Sequence, residues 1–357
     1  MSAMYEEHAA RVRSATETRA PLRIRGGGSK DFYGGPLTGD ILDMRSVAGI
    51  VAYDPTELVV TARCGTSLVE LEAVLAERNQ VLAFEPPHFG DATTLGGCVA
   101  AGLSGPARAS AGSLRDFVLG VKLLNGLGEV LNFGGQVMKN VAGYDVSRLL
   151  AGSLGTLGVL LEVSLKVLPR PVTGLTLRLE APQEKALELM NRWAGAPLPI
   201  TATCWCDDLL TLRLAGARAA IAAARQQLGG ELVEATEAAS FWRDLRDQRR
   251  DTFAGDVSLW RLSLPSVTPP LDLPGKQLIE WGGSLRWFKS NADASSFREA
   301  AVRAGGHATL FRANPEQKLS VGVFQPLPSG LLALHRRLKQ RFDPPGIFNP
   351  GRMYRDF

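Results

Sequence analysis

A strand that runs straight into three consecutive glycines is the feature that most constrains how this chain can fold. It lies in the segment LRIRGGGSKDFYGG, residues 22–35. Glycine accepts positive φ and lets other groups approach the backbone closely, at a cost of about 0.5–1 kcal/mol per residue. The run Gly26, Gly27, Gly28, Ser29 and Lys30 would present successive amide N–H groups, a hydroxyl and an ammonium. Such an array suits a phosphate or pyrophosphate, and the alternative for this loop alone is a flexible hairpin end.

Composition is that of an ordinary soluble globular protein. The 357 residues are 45% hydrophobic and 21% charged, which allows about two or three domains. Forty basic and 36 acidic residues leave a net charge of +4, too small to imply a nucleic-acid partner. Because the four cysteines form no CxxC pair and the chain has four histidines, we expect no metal site. The polar start and the lack of a long apolar run predict a cytoplasmic protein without a signal peptide or membrane span.

The first part of the chain predicts an α/β domain in two pieces. Short apolar runs predict strands, and residues 66–80 predict an amphipathic helix, in which Ser67 and Glu70 have capping-box spacing. A tract of small residues follows at 85–116, where alanine and glycine would let backbone pack closely on a flat surface or on other backbone. A hairpin, a short helix and a long strand complete the domain. We assign residues 1–172 to it, with subdomains of about 1–82 and 83–172.

A second domain is predicted after the segment PRPVTG, residues 169–174. Its order of strand, helix, hairpin, helix and strand is typical of an α+β domain of the split β-α-β kind. We assign residues 173–334 to this domain. The segment FDPPGIFNPGRMY is rigid and contains glycine turns, like the N-terminal part of the chain. Residues 335–357 are therefore predicted to return to the first domain.

No Walker A motif lies near the opening loop, and no G-x-G-x-x-G joins a strand to a helix. The chain instead combines the GGGS loop, the small-residue tract, KNVAGYD, GSLGTLG and a terminal FNPG. This combination resembles the flavoproteins that share an FAD-binding domain with vanillyl-alcohol oxidase and p-cresol methylhydroxylase (PCMH). Within them it looks most like the FAD-binding subunits of bacterial glycolate oxidases. The resemblance implies an α+β fold, with a two-part PCMH-type FAD-binding domain and an α+β cap domain built on an antiparallel sheet.

The resemblance also implies which residues hold the cofactor. In that family the first glycine loop wraps the FAD pyrophosphate, and the segment TTLGGCVAAGLSG lies near the phosphates and the flavin. The element around residues 111–116 departs from the family at Ala111, where a tyrosine is usual, and GSLGTLGVL departs at Leu154, where an acidic residue is usual. The implied cofactor residues are Arg25, Gly26, Gly27, Gly28, Ser29, Lys30, Pro87, Thr93, Gly96, Gly97, Ala100, Gly112, Arg115, Asp116, Gly155, Gly158, Val159 and Asn349. Because the glycine loop contains no histidine, FAD is expected to be bound noncovalently.

Other residues have both a functional and a structural interpretation. Lys139, Asn140, Tyr144 and Asp145 would border the flavin, or else Asn140 and Asp145 would cap the short helix. His88 follows two prolines, and a single histidine is more often structural than catalytic. Four tryptophans are predicted to lie in the core of the second domain: Trp205, Trp260, Trp281 and Trp287.

The second domain lacks the motifs that would make it catalytic. Oxidation of a 2-hydroxy acid on a flavin needs a base for the hydroxyl proton and a cation for the carboxylate. Relatives that oxidise D-2-hydroxy acids carry GDGNxH and EHG segments that supply ligands to a metal, and this sequence has neither. The remaining candidates are His307, Arg312 and His88.

Three functional hypotheses follow. The leading one is an FAD-binding subunit of a glycolate (2-hydroxy acid) oxidase complex, working with a larger flavoprotein subunit that oxidises the substrate and an iron–sulfur subunit. Such a complex could associate peripherally with the inner membrane face through its partners, which would cover the strand faces WCDDLLTLRL and GGSLRWFK. The second is a self-sufficient FAD-dependent dehydrogenase that uses His307 or His88 with Arg286 or Arg312. The third is a structural subunit that keeps the fold without FAD.

Overall fold

The structure is a computed structural model that describes residues 3–135, 145–355 and 357. Within them the chain forms an N-terminal half around a five-stranded sheet and a C-terminal half around an eight-stranded sheet. Helices pack on both sheets, so the predicted α+β fold is confirmed. The domain limits remain predictions. No helix in these ranges is both long enough and apolar enough to cross a membrane.

The five-stranded sheet takes strands from both sides of residue 82. Its order is β3-β4-β8-β6-β7, with antiparallel neighbours throughout, while β1 and β2 form a separate parallel pair and β5 pairs with β9. The strands of this half are Leu22–Arg25 (β1), Asp40–Asp43 (β2), Ile50–Asp54 (β3), Val59–Arg63 (β4), Gln80–Val81 (β5), Val118–Leu124 (β6), Val130–Gly134 (β7), Val159–Lys166 (β8) and Leu168–Pro169 (β9).

The eight-stranded sheet has the order β13-β10-β12-β11-β15-β16-β14-β17, again with antiparallel neighbours. Its strands are Thr173–Glu180 (β10), Ile200–Cys206 (β11), Leu209–Gly216 (β12), Glu231–Val233 (β13), Leu259–Ser263 (β14), Lys276–Glu280 (β15), Leu285–Lys289 (β16) and His307–Arg312 (β17).

The helices of the described residues, in chain order, are Ala3–Thr18 (α1), Leu68–Ala76 (α2), Leu95–Ala101 (α3), Arg108–Ala111 (α4), Leu114–Phe117 (α5), Val146–Leu150 (α6), Gln183–Ala194 (α7), Arg218–Leu228 (α8), Ala235–Arg246 (α9), Ala294–Arg303 (α10), Pro315–Val321 (α11) and Ser329–Phe342 (α12), with 3-10 turns at Asp251–Phe253 and Trp281–Gly283. The sequence pattern missed α9 and β15.

The helix predicted at residues 66–80 is α2, and its start follows the predicted capping. Ser67 accepts a hydrogen bond from the backbone N–H of Glu70, which satisfies one of the free donors of the first turn. Leu68, Leu71 and Leu75 are fully buried against the five-stranded sheet. Burial of one such leucine side chain contributes about 2 kcal/mol, so this face holds the helix in place.

The tract of small residues contains a short helix, α3, that was not predicted. Thr94 caps its start, and Gly102 ends it with a φ of 64° in the left-handed region. A Cβ atom on Gly102 would lie 2.7 Å from the Cα atom of Gly152, so two backbones meet here without side chains between them. The expectation that backbone packs closely in this tract is confirmed.

The four tryptophans predicted for the core of the second domain are all buried in the C-terminal half. The strand faces predicted to meet a partner are also interior. Leu210, Leu212 and Leu214 of β12 are fully buried beneath α7 and α8, and Arg286 of β16 is fully buried too. That prediction is wrong, because other segments of the same chain already cover the apolar faces of these strands.

Candidate functional site

The glycine loop after β1 packs against the loop that precedes α3. A Cβ atom on Gly26 would strike the side chain of Thr94, and one on Gly27 would overlap the carbonyl oxygen of Ala92. Of the three glycines, Gly28 has a positive φ, 73°. Gly26 and Gly27 must therefore be small because another loop of the protein packs against them. The sequence pattern attributed their small size to a ligand.

A group of polar atoms gathers where these two loops meet. Thr93 Oγ1 donates to the carbonyl of His88 and lies 2.7 Å from Ser29 Oγ. Lys30 Nζ lies 3.5 Å from the same carbonyl and 5.5 Å from the ring centre of Phe89. Burial lowers the pKa of Lys30, and in the described part of the chain no carboxylate lies within 4.0 Å of its ammonium. Asp247 acts on this ammonium only from a greater distance. A partly buried cation that contacts no carboxylate suits an anionic ligand.

Arg312 brings a second cation to this place. Its guanidinium lies 4.7 Å from the ring centre of Phe32 and 5.5 Å from that of Phe89, which it shares with Lys30. Burial lowers the pKa of Arg312 to about 10. His307 stands at the opposite end of the same strand, about 17 Å away at the usual rise per residue. One small hydroxy acid therefore cannot contact both side chains.

Arg25 is less well placed than Lys30 to neutralise a diphosphate. Its Nε lies 3.2 Å from Asp31 Oδ2, and Arg23 contacts the same carboxylate oxygen. The carboxylate already balances part of the charge of these two guanidinium groups.

The second implied cofactor segment, at the start of α3, has one tightly packed and one more loosely packed glycine. A Cβ atom on Gly96 would lie 2.8 Å from Cys64 Cβ, so this glycine is needed for packing on β4. At Gly97 a Cβ atom would lie 3.3 Å from Thr94 Oγ1, a tight contact with one side chain but a looser one than at Gly96. The carbonyl of Ala100 accepts from the N–H of Leu154 at 2.8 Å, which ties this segment to the turn before β8.

The third implied segment is at the surface. Gly112 has a φ of 105°. Asp116 is exposed, and its Oδ2 accepts from the backbone N–H and the hydroxyl of Ser113 at 2.8 Å each, as a helix-capping group does. Arg115 is also exposed and donates to the carbonyl of Ala151 at 3.3 Å. Both charged side chains thus have structural partners outside the glycine loop.

Asn349 joins the C-terminal tail to two of the implied cofactor elements. Its Oδ1 accepts from the N–H of Ile24 in β1 at 2.9 Å, and its Nδ2 donates to the carbonyl of Leu154 at 2.7 Å. A Cβ atom on Gly155 would lie 2.6 Å from Asn349 Nδ2. The asparagine therefore holds strand, turn and tail in register behind the glycine loop.

Gly158 and Val159 lie at the start of β8. A Cβ atom on Gly158 would be 2.8 Å from the carbonyl oxygen of Leu124, and Val159 is fully buried in the core of the N-terminal half. The positions that these two residues take are explained by sheet packing.

Pro87 lines a cavity of ≈ 30 Å³ between the two halves, about the volume of one water molecule. Glu280 faces it from the end of β15, is 5% exposed, and accepts from the indole of Trp287 at 2.8 Å. Burial raises the pKa of Glu280 to about 7, although Trp287 and Arg261 act to lower it. Trp281, also in the wall, has a positive φ of 54° and donates at 3.0 Å to a carbonyl of the N-terminal half. Glu280 was not predicted from the sequence, where its signal is one acidic residue in the apolar run QLIEW.

His88 and Arg286 have structural surroundings. His88 is buried, with Nε2 3.1 Å from Glu72 Oε2, and its backbone N–H donates to Asp247 at 3.0 Å. Arg286 donates to the backbone carbonyls of Gly283, Pro269 and Thr268.

Lys139, Asn140 and Tyr144 lie outside the described residues. Asp145 accepts from the N–H of Arg148 and caps α6, as the structural interpretation predicted. In the ranges that the structure covers, no three His, Cys, Asp or Glu side chains are placed to hold a metal ion.

Comparison with known proteins gives three findings. Residues 3–134 match the family described as "FAD binding domain". The chain is 52% identical over 343 residues to glycolate oxidase subunit GlcE of Escherichia coli (strain K12), covering 96% of this chain and 95% of that protein. It is 32% identical over 166 residues to glycolate oxidase subunit GlcD of Bacillus subtilis (strain 168), covering 45% of this chain and 35% of that protein.

Among solved structures, an alkyldihydroxyacetonephosphate synthase superposes with a TM-score of 0.66. The match covers 97% of this chain and 74% of the synthase at 17% sequence identity. At that identity the likeness concerns the fold alone.

Proposed function

This chain belongs to the family of glycolate oxidase subunit GlcE, and on that premise we propose that it is the FAD-binding subunit of a glycolate oxidase complex. The complex oxidises glycolate, or a related 2-hydroxy acid, to the 2-oxo acid. The observation that carries the proposal is the identity over nearly the whole of both chains, because a shared fold alone would leave the activity open.

The residues around the glycine loop fit an FAD diphosphate. Lys30 offers an ammonium with no carboxylate within 4.0 Å among the described residues, and Ser29 and Thr93 offer hydroxyls. At Gly97 a Cβ atom would meet Thr94 Oγ1 at 3.3 Å, so only a small residue fits there. These groups would hold the diphosphate without a covalent bond. When bound, FAD would supply an acceptor for electrons that a partner subunit takes from the substrate.

The partners are proposed from the subunit character of the family. One is a larger flavoprotein subunit that carries the substrate site, and the other is an iron–sulfur subunit that passes electrons onward. The present chain has no cysteine motif for a cluster, since its cysteines lie at positions 64, 98, 204 and 206. We place the complex in the cytoplasm, at the inner membrane face when a partner holds it there.

We infer that the chain does not oxidise 2-hydroxy acids alone. Base and carboxylate anchor must lie within hydrogen-bond reach of one substrate, and a positioned base contributes about 10²–10⁴-fold in rate. Arg312 and His307 are too far apart to serve together, and His88 points to Glu72. Glu280 is the one carboxyl group among the residues that line the ≈ 30 Å³ cavity, and that cavity has about the volume of one water molecule.

The test is anaerobic mixing of the purified chain with glycolate or D-lactate, followed by flavin absorbance. We expect a yellow protein that keeps its colour alone and bleaches when the other subunits are added. Bleaching of the lone chain at a catalytic rate would contradict the inference, and Arg312→Met would then show whether Arg312 anchors the substrate. A colourless protein that cannot be loaded with FAD would overturn the cofactor assignment.

A further inference from the structure

Two helices near the C-terminus bury almost none of their side chains. Of residues 313–338, all of which the structure describes, Val323 alone is buried. The stretch contains α11, which has no buried residue, and most of α12, whose single buried residue is Lys339. An amphipathic helix on a finished protein surface normally buries an apolar stripe. In α11 and in the first two turns of α12, leucine side chains stay exposed instead.

The large apolar side chains that stay exposed on these two helices are leucines. Leu319 of α11 and Leu334 of α12 are 50% exposed, and Leu331 is 49% exposed. Leu331 and Leu334 are three residues apart, so they lie on one face of α12 in its first two turns. Further along the helix, Leu338 and Phe342 pack on the core of the N-terminal half. The later part of α12 is therefore anchored to the core, and the exposed leucines lie on the part of the helix that precedes it.

The charge beside these leucines is positive. Helix α12 has no acidic residue, and Arg337 and Arg341 form no ion pair within the described residues. The helix is fixed to the body by Lys339, whose ammonium donates to Asp343 Oδ2 at 2.7 Å and to the carbonyls of Thr156 and Phe348 at 2.8 Å each. Helix α12 therefore presents apolar and basic side chains in a fixed orientation.

We propose that Leu331 and Leu334 of α12 dock into an apolar groove with an acidic rim on another subunit of the same complex. The inference rests on the proposed function. Anchoring leucines at i and i+3 are typical of a helix that lies in a groove, and the arginines match carboxylates at the rim of such a groove.

Two other occupants fit the same surface less well. A second copy of this chain would place the same basic surface on both sides of a twofold interface, where the arginines repel one another. A lipid surface would gain only the exposed leucines, and even one myristoyl chain gives marginal attachment.

The experiment compares the double variant Leu331→Glu, Leu334→Glu with a matched control, Val172→Glu, Val267→Glu. The control changes two valines that are 79% and 75% exposed away from α12. Each protein is co-expressed with the other glycolate oxidase subunits, and complex mass and affinity are measured by light scattering and biolayer interferometry. We expect the double variant to bind at least about 100-fold more weakly, as buried anchors do, and the control to bind like the parent. Equal binding by the double variant would overturn the proposal.

Two further measurements separate the alternatives. In the first, the lone chain is sedimented with vesicles of phosphatidylglycerol and phosphatidylcholine. Pelleting that the double variant abolishes, with its complex intact, would assign the surface to the membrane and overturn the proposal. In the second, flavin content is measured for every variant. If the parent chain lacks flavin and yet assembles through α12, the proposed cofactor role fails and the docking inference stands.

Discussion

Replacing Glu280 by glutamine tests the electrostatics of the junction between the two halves. The carboxyl is buried and accepts one hydrogen bond, from Trp287, which a glutamine oxygen can also accept. The charged groups that act on it are Arg261, which favours the ionised form, and Glu85, which opposes it. Burial outweighs Arg261 and raises the pKa of Glu280 to about 7.

The sign of the pH effect follows from that raised pKa. An exposed glutamate titrates at 4.5, so between pH 4.5 and 7 the folded protein holds a proton that the unfolded chain releases. Stability is therefore lost as pH rises through this window, and the loss is complete above the folded pKa. The difference between the two pKa values corresponds to about 3 kcal/mol. Glutamine cannot ionise, so Glu280→Gln should gain about 3 kcal/mol relative to the parent between pH 5 and pH 8.

The assay is urea unfolding of parent and variant at pH 5, 6, 7 and 8, followed by tryptophan fluorescence at equal flavin content. Glu162→Gln is the control, because its effect on stability should not change with pH in this range. Burial acts to raise the pKa of Glu162, but hydrogen bonds from Lys122 and Tyr5 lower it overall. The contribution of Glu162 is therefore complete above pH 4.5, and Glu162→Gln should be less stable than the parent by the same amount at pH 5, 6, 7 and 8. A stability difference between Glu280→Gln and parent that is the same at pH 5 and pH 8 would refute the reasoning.

Three further predictions concern the candidate cofactor site. Gly27→Ala should lower the melting temperature of the flavin-free protein by about 4 °C or more, because its Cβ overlaps the Ala92 carbonyl. Gly97→Ala, whose Cβ would lie 3.3 Å from the hydroxyl oxygen of Thr94, should lower that temperature less and lose FAD affinity. Equal flavin loss and equal melting temperatures in both would contradict this distinction. Asn349→Ala removes two buried hydrogen bonds and should cost about 2–4 kcal/mol in urea unfolding together with part of the flavin; an unchanged midpoint would show that the tail is not tied by this residue. Acid precipitation should release all flavin to the supernatant, and flavin in the pellet would disprove noncovalent binding.

Much of the fold could be predicted because its signals are local. The helix predicted at 66–80 has its cap and its apolar stripe within a few residues of each other. The strands β6 and β7 form a hairpin and are joined directly by one short turn. In contrast, α3 is built from residues too small to show an apolar stripe, and α9 was missed although its buried face includes Trp242 and Leu245. A short sequence pattern indicates which secondary structures a segment can adopt. Which of them is stable depends on contacts with residues far away in the sequence.

For the candidate site, the sequence by itself determined the small residues, the cations and the absence of a histidine in the glycine loop. Only the tertiary structure decided how they are used. It gives Gly27 a protein neighbour in Ala92, balances Arg25 with Asp31, and leaves Lys30 with no carboxylate within 4.0 Å among the described residues. It also encloses Glu280 between the two halves. The reason is physical: burial and charge balance depend on which distant segments pack together, and no run of neighbouring residues contains that information.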